Sequence, residues 1–178
     1  MFFRDFTAVN GPASMSFHLG EQQAQERWRT ARLWDHKRRA QLLWQRIPAE
    51  LHSRLEAVPF FFLATSDAEG QCDCSFKGGG PGLIRILNPR KFAFPDYDGN
   101  GAFMSLGNIL VNPHIGCLFI DFSDGARLRV NGRATIHDQD EALKLFPKAK
   151  RVVVVDVEQV VPNCTNYVPR LFPVDQYY

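Results

Sequence analysis

From Phe60 onward the chain is a succession of short strand-like runs, each cut off by a turn, and this pattern restricts its possible folds more than any other feature. Phe60 to Ser66 is a continuous apolar run that ends in the turn Asp67-Ala-Glu-Gly70. Gln71 to Lys77 alternates, with Cys72, Cys74 and Phe76 on one side and Asp73, Ser75 and Lys77 on the other. Gly78 to Pro81 interrupts it, Leu83 to Leu87 follows, and the turn Asn88 to Lys91 leads into Phe92 to Pro95. After the loop Asp96 to Gly101, rich in residues that tolerate positive φ, a short helix is predicted over Ala102 to Val111 and stopped by Asn112-Pro113. Ile115 to Phe122, Ala126 to Ile136 and Val152 to Val161 complete the strands, with a helix near Gln139 to Phe146. Six or seven strands joined by hairpin-type turns predict a mainly β protein, an antiparallel barrel with flanking helices, because closing the sheet removes the exposed edges.

Before residue 59 the chain reads helical. Residues 20 to 46 place Ala24, Trp28, Ala31 and Trp34 at helical spacing, which predicts an amphipathic helix with its aromatic stripe packed in the core or against a second subunit, a cofactor lid being the other reading. Pro48 fits the first turn of a second helix carrying Leu51, Leu55 and Val58 on one face. The expected organisation is a helical segment, 1–58, packed on a barrel, 59–178, within one structural domain.

Composition excludes several function classes. Apolar residues at 45% and charged residues at 22% argue against disorder. A net charge of +2 is too balanced for a nucleic-acid binder. No apolar run approaches the ~20 residues of a membrane span, and charge at Arg4 and Asp5 interrupts any signal peptide. Four cysteines make no disulfide framework, so reduced thiols and a cytoplasmic location are expected. Cys72 and Cys74 lack the further ligands of a metal site and read as small buried apolar residues; no metal is expected. No Gly-x-Gly-x-x-Gly, phosphate loop or nucleophile elbow occurs, and no catalytic residue can be named.

Three polar faces remain: Asp73, Ser75 and Lys77 on one strand, Ser105 and Asn108 on the short helix, and Arg127 and Arg129 on a later strand. Each alone reads as solvated surface, and only the combination points to a site. Gathered at a barrel seam, their Lys, Ser, Asn and Arg donors suit a phosphate. The glycine-rich loop before the helix gives backbone N–H groups access to the same anion.

The order Phe60 to Ser66, Asp73 to Gly79, Phe92 to Gly101, Ser105 to Ile109 with Asn112-Pro113, Leu118 to Phe122 and Arg127 to Arg133 resembles the pyridoxamine 5′-phosphate oxidase-like family of FMN-binding split barrels. Phe17 to Glu21 and Pro162 to Cys164 are similar to one bacterial branch of it. The resemblance implies a six-stranded antiparallel split barrel, a homodimer with cofactor sites at the subunit interface, and an FMN-dependent oxidoreductase acting with a small-molecule substrate or electron donor. It also implies that Asp73, Ser75 and Lys77 meet the flavin ring and its ribityl-phosphate side, that Pro95, Asp96 and the loop with Asn100 border the ring, that Ser105 and Asn108 hold the phosphate, and that Arg127 and Arg129 approach the flavin, often from the other subunit. Phe103-Met104-Ser105 stands where the true oxidases carry an Arg-Lys pair, and Pro162 to Tyr178 lacks their substrate-binding Arg and His pattern, so vitamin B6 oxidation is not implied. A non-catalytic binder of flavin, or of a deazaflavin or haem with His114 or His137 as axial ligand, is the alternative.

Overall fold

Alternation with a period of two is realised as seven strands of one antiparallel sheet in a computed structural model that describes residues 16–139, 141–163 and 166–171. These are β1 (Phe60–Ser66), β2 (Cys72–Gly78), β3 (Arg85–Asn88), β4 (Lys91–Asp96), β5 (His114–Asp121), β6 (Ala126–His137) and β7 (Arg151–Asn163). Their order in the sheet is β2-β1-β5-β6-β7-β4-β3. β2 and β3 stand at the two ends and do not pair, so the barrel is split. The strand beyond the six expected is β3, four residues long, which pairs only with β4 and slips register between Ile86 and Asn88.

Phe61, Leu63, Phe92, Phe94, Leu128, Val130, Val153 and Val155 fill the interior. Phe61 stacks on Phe119 at 5.3 Å and meets Phe94 edge-on at 5.1 Å, offset arrangements that suit the aromatic quadrupole. Near the middle of β6 the pairing with β7 shifts at Asn131/Gly132. A Cβ on Gly132 would lie 2.1 Å from the carbonyl oxygen of Asp156, so only glycine lets the two backbones approach there.

The helix predicted over residues 20–46 is broken. It comprises α1 (Leu19–Arg27), a 3₁₀ turn at Ala31–Leu33 and α2 (His36–Leu42). Arg29 adopts a left-handed φ of 57°, which ends the first helix, and Asp35 restarts the second by accepting from the Arg38 amide at 2.7 Å. His18 caps α1 reciprocally: its Nδ1 accepts from the Gly20 and Glu21 amides, and the Glu21 carboxylate accepts from the His18 amide. Neither helix buries a residue, and Trp28 is 67% exposed, so the aromatic stripe is not part of this chain's core and is left for a subunit contact or a lid. The anchor lies further along. Trp44 exchanges both backbone hydrogen bonds with Val160, and Ile47, Leu51 and Leu55 join the barrel core, the last from α3 (His52–Glu56).

The pair register Phe61↔Lys77, Leu63↔Ser75 and Thr65↔Asp73 decides which face of β2 turns inward. Asp73, Ser75 and Lys77 share the side of the buried β1 residues, so Cys72 and Cys74 are exposed, against the expectation that they are buried. The buried thiol is Cys117 on β5, and desolvation pushes its pKa up.

Gly132→Ala should lower stability by about 1–3 kcal/mol through overpacking against a backbone that cannot yield. The check is a urea unfolding curve, in which the midpoint falls while the slope is unchanged.

Candidate functional site

Three polar side chains on the inward face of a strand are costly unless each finds a hydrogen-bond partner. The partner comes from α4 (Met104–Val111), which buries Leu106 and Ile109 and brings Ser105 with them. Ser105 is buried and donates its hydroxyl proton to Asp73 Oδ2 at 3.2 Å. With that single proton spent, its oxygen accepts from the Ser75 hydroxyl at 2.9 Å and from Lys77 Nζ at 3.4 Å. The four residues form one connected set.

Phe103 precedes α4 with a left-handed φ of 51° and provides no side-chain cap, so the first turn of the helix opens without one. One turn on, Asn108 donates to Thr65 Oγ1 at 3.0 Å and ties the helix to β1. The end of α4 is fastened in the same way, since Asn112 donates to Ser66 Oγ at 2.9 Å.

The end of β4 and the loop after it form the facing wall. Asp96 is paired across the sheet with Arg151 of β7, whose Nε donates to Asp96 Oδ2 at 2.9 Å. The Arg151 guanidinium also lies over the Phe103 ring, 4.7 Å from its centre, a cation–π contact. Asn100 steadies the loop by accepting from the Ala102 amide at 3.0 Å. Between the walls lies a cleft of about 400 Å³.

Of the residues expected at a site, Asp73, Ser75, Lys77, Pro95, Asp96, Asn100 and Ser105 line this one cleft. Asn108 does not line it; its amide is committed to Thr65. Arg127 and Arg129 are not brought to it within the chain. Leu128 and Val130 take the inward face of β6, so the arginines point outward, where Arg129 donates to Asn163 Oδ1 at 3.1 Å and Arg127 to the Asn166 carbonyl at 3.4 Å. The cation missed from the sequence is Arg151. Its signal was the basic pair Lys150-Arg151 before a β-branched run, and only the pairing of β4 with β7 reveals that it faces Asp96. Among the described residues no histidine or cysteine lines the cleft. His114 contacts Arg133 and Asn112, and His137 contacts Thr135.

The donor set fits FMN. The Lys77 ammonium and the Ser75 hydroxyl, whose proton no carboxylate holds, match a phosphate, and Tyr97, Phe103 and a guanidinium border room for a planar ring. The volume falls within the roughly 300–1,000 Å³ of small-molecule sites.

Solved structures similar to this chain include HupZ from Group A Streptococcus, 19% identical over 71% of this chain and 100% of that one, with a TM-score of 0.52. A putative pyridoxamine 5′-phosphate oxidase from Lactobacillus delbrueckii is 23% identical over 66% of this chain and 94% of that one, with a TM-score of 0.52. An FMN-binding protein from Syntrophomonas wolfei is 9% identical over 64% of this chain and 82% of that one, with a TM-score of 0.48. No curated protein matches the sequence significantly. The family model described as pyridoxamine 5′-phosphate oxidase matches residues 47–164, well over half of the sequence, and the chain belongs to that family.

Proposed function

We propose that the chain binds FMN in the cleft between β2, α4 and the end of β4, and works as an oxidoreductase in a homodimer. The observation that carries this reading is the gathering of Lys77 and Ser75 on the Ser105 hydroxyl, both within hydrogen-bond distance of it, inside a cleft of about 400 Å³. Lys77 would offer the phosphate a point charge, and Ser75 would turn its hydroxyl proton from Ser105 to it. Asp73 keeps Ser105 oriented by accepting its proton. Pro95, Asp96 and Asn100 border the ring side. When bound, FMN supplies hydride or electron transfer, while the protein binds it, orients it and excludes water.

A second reading, a non-catalytic flavin-binding protein, is favoured by one observation. No histidine or cysteine lines the cleft among the described residues, and the carboxylates of Asp73 and Asp96 are engaged with Ser105 and Arg151. Turnover of NADH or NADPH with oxygen by the FMN-loaded protein separates the two readings.

The outward face of the sheet supports the dimer. Phe60 stacks on Phe76 at 5.2 Å, Phe62 meets both rings at 6.1 Å, and Phe76 is 61% exposed. Leu118 and Ile120 extend this apolar stripe across β5, and their partners on β6 are Arg129 and Arg127. An exposed apolar stripe of this kind favours burial against a second copy. A two-fold axis along the strands would set β6 of one copy opposite β2 of the other, carrying Arg127 and Arg129 toward its cleft.

Added FMN should develop protein-bound flavin absorbance and raise the melting temperature. Lys77→Ala should cost roughly 1.5–3 kcal/mol of FMN affinity, ten- to a hundredfold. If saturating FMN leaves the melting temperature of the wild-type protein unchanged, the reading is wrong. Phe62→Glu should give a monomer by light scattering with weakened FMN binding; a wild-type monomer would remove the shared site.

A further inference from the structure

Arg151 reaches the cleft from the start of β7, and the phosphate contacts described above leave it without a role. Two partners fix its guanidinium plane: Asp96, through Nε at 2.9 Å, and the Phe103 ring, 4.7 Å from Cζ. The side chains of the Arg151–Asp96 pair are 27% and 19% exposed, so the pair is partly shielded from water. Among the described residues, the two Nη atoms make no hydrogen bond. Up to four N–H groups are therefore oriented yet unspent at the wall of the cleft. Phe103 occupies its place with a φ of 51°, a conformation that disfavours a bulky residue and persists only where the surroundings enforce it.

The cleft thus holds two polar groupings, and no hydrogen bond joins them among the described residues. Asp73, Ser75, Lys77 and Ser105 form one, with a compact ammonium and hydroxyls suited to a tetrahedral anion. Asp96, Arg151 and Phe103 form the other, a planar fork laid on an aromatic face beside Tyr97. A flat fork among aromatic rings matches the acceptor edge of a flat ligand.

We propose that Arg151 contacts the ring of FMN, its Nη groups donating to the carbonyl edge of the pyrimidine portion. One negative charge is left along that edge when the ring takes up two electrons and one proton. A fixed cation in a partly desolvated cleft stabilises charge where it develops, so Arg151 raises the midpoint potential of the bound cofactor. This rests on the FMN reading and gives Arg151 the role first expected of Arg127 or Arg129, both of which face the other side of the sheet.

The experiment pairs three substitutions with two ligands. FMN and riboflavin, which lacks the phosphate, are titrated into the wild-type protein, Arg151→Met, Arg151→Lys and Lys77→Ala, and the bound potential is measured by dithionite titration against a reference dye. Arg151→Met should weaken both ligands alike, about tenfold when oxidised, and a further tenfold when reduced. That extra tenfold is a fall of about 30 mV for a two-electron couple. Lys77→Ala should weaken FMN and spare riboflavin. Arg151→Lys keeps the charge beside Asp96 and should hold the melting temperature of the ligand-free protein, while recovering only part of the affinity and potential. Wild-type affinities and potential in Arg151→Met or Arg151→Lys overturn the proposal, as does loss of FMN affinity alone in Arg151→Met. If the wild-type protein binds neither ligand, the FMN reading itself falls, and the assignment of Arg151 with it.

Discussion

The hydroxyl of Ser105 is the point on which the cleft depends. It is a buried polar atom on a helix held by apolar contacts, and it saturates its hydrogen-bonding capacity with three side chains of one strand. Without it, Asp73 would lose its donor, and Ser75 and Lys77, half-buried at the cleft wall, would have no acceptor in common. The split of the barrel follows from the same constraint. β2 carries polar residues where the other strands carry Phe, Leu and Val, so the sheet cannot close tightly along that edge. Instead α4 covers the gap and supplies the missing partner.

The opposite wall is held by charge rather than by packing. The loop after β4 contains Gly99 and Gly101 and is exposed from Tyr97 to Gly101, so it has little apolar contact of its own. Cross-strand pairing of Asp96 with Arg151 and the ion pair of Lys150 with Asp98 at 3.8 Å fasten its near end to β7. The Asp98 pair is exposed and contributes little. The Asp96 pair is better shielded, has hydrogen-bond geometry and is backed by an aromatic ring, so it sets the position of the wall. The two walls therefore differ in kind: neutral hydroxyls bridge the first, and a guanidinium spans the second.

Much of the barrel was legible in the sequence, because a period of two in side-chain character needs no long-range information. Phe60 to Ser66 and the alternation from Gln71 to Lys77 became β1 and β2 almost as read. The breaking of the helix over residues 20–46 was not legible, since Arg29 and Thr30 are neutral in propensity and the interruption depends on a left-handed residue that composition does not announce. The site was legible in part. Asp73, Ser75, Lys77 and Ser105 share a face or a helix that the sequence marks out. Arg127 and Arg129 were read as site residues because charge clusters there, but Leu128 and Val130 between them decide the direction of both. Arg151 carried almost no local signal, because its meaning lies in a residue 55 positions earlier.

Cys72 and Cys74 expose the general reason for these differences. Alternation divides a strand into two faces but does not say which is inside, and hydropathy favours the face with the cysteines and Phe76. The opposite outcome is stable here for two reasons. β2 is an end strand, so its outward face lies beside the phenylalanines of β1 rather than in bulk water alone. Its inward face also meets a hydroxyl contributed by a helix about thirty residues later. Inverting β2 would bury Phe76 and turn Asp73, Ser75 and Lys77 out to water, but it would strand the buried Ser105 hydroxyl against an apolar face, at a cost of about 1–3 kcal/mol. That cost is comparable to the roughly 1.5–3 kcal/mol gained by hiding one large apolar side chain. The hydrogen-bond network therefore offsets the pull of hydropathy on the strand, and the apolar surface left outside accompanies the polar cleft within.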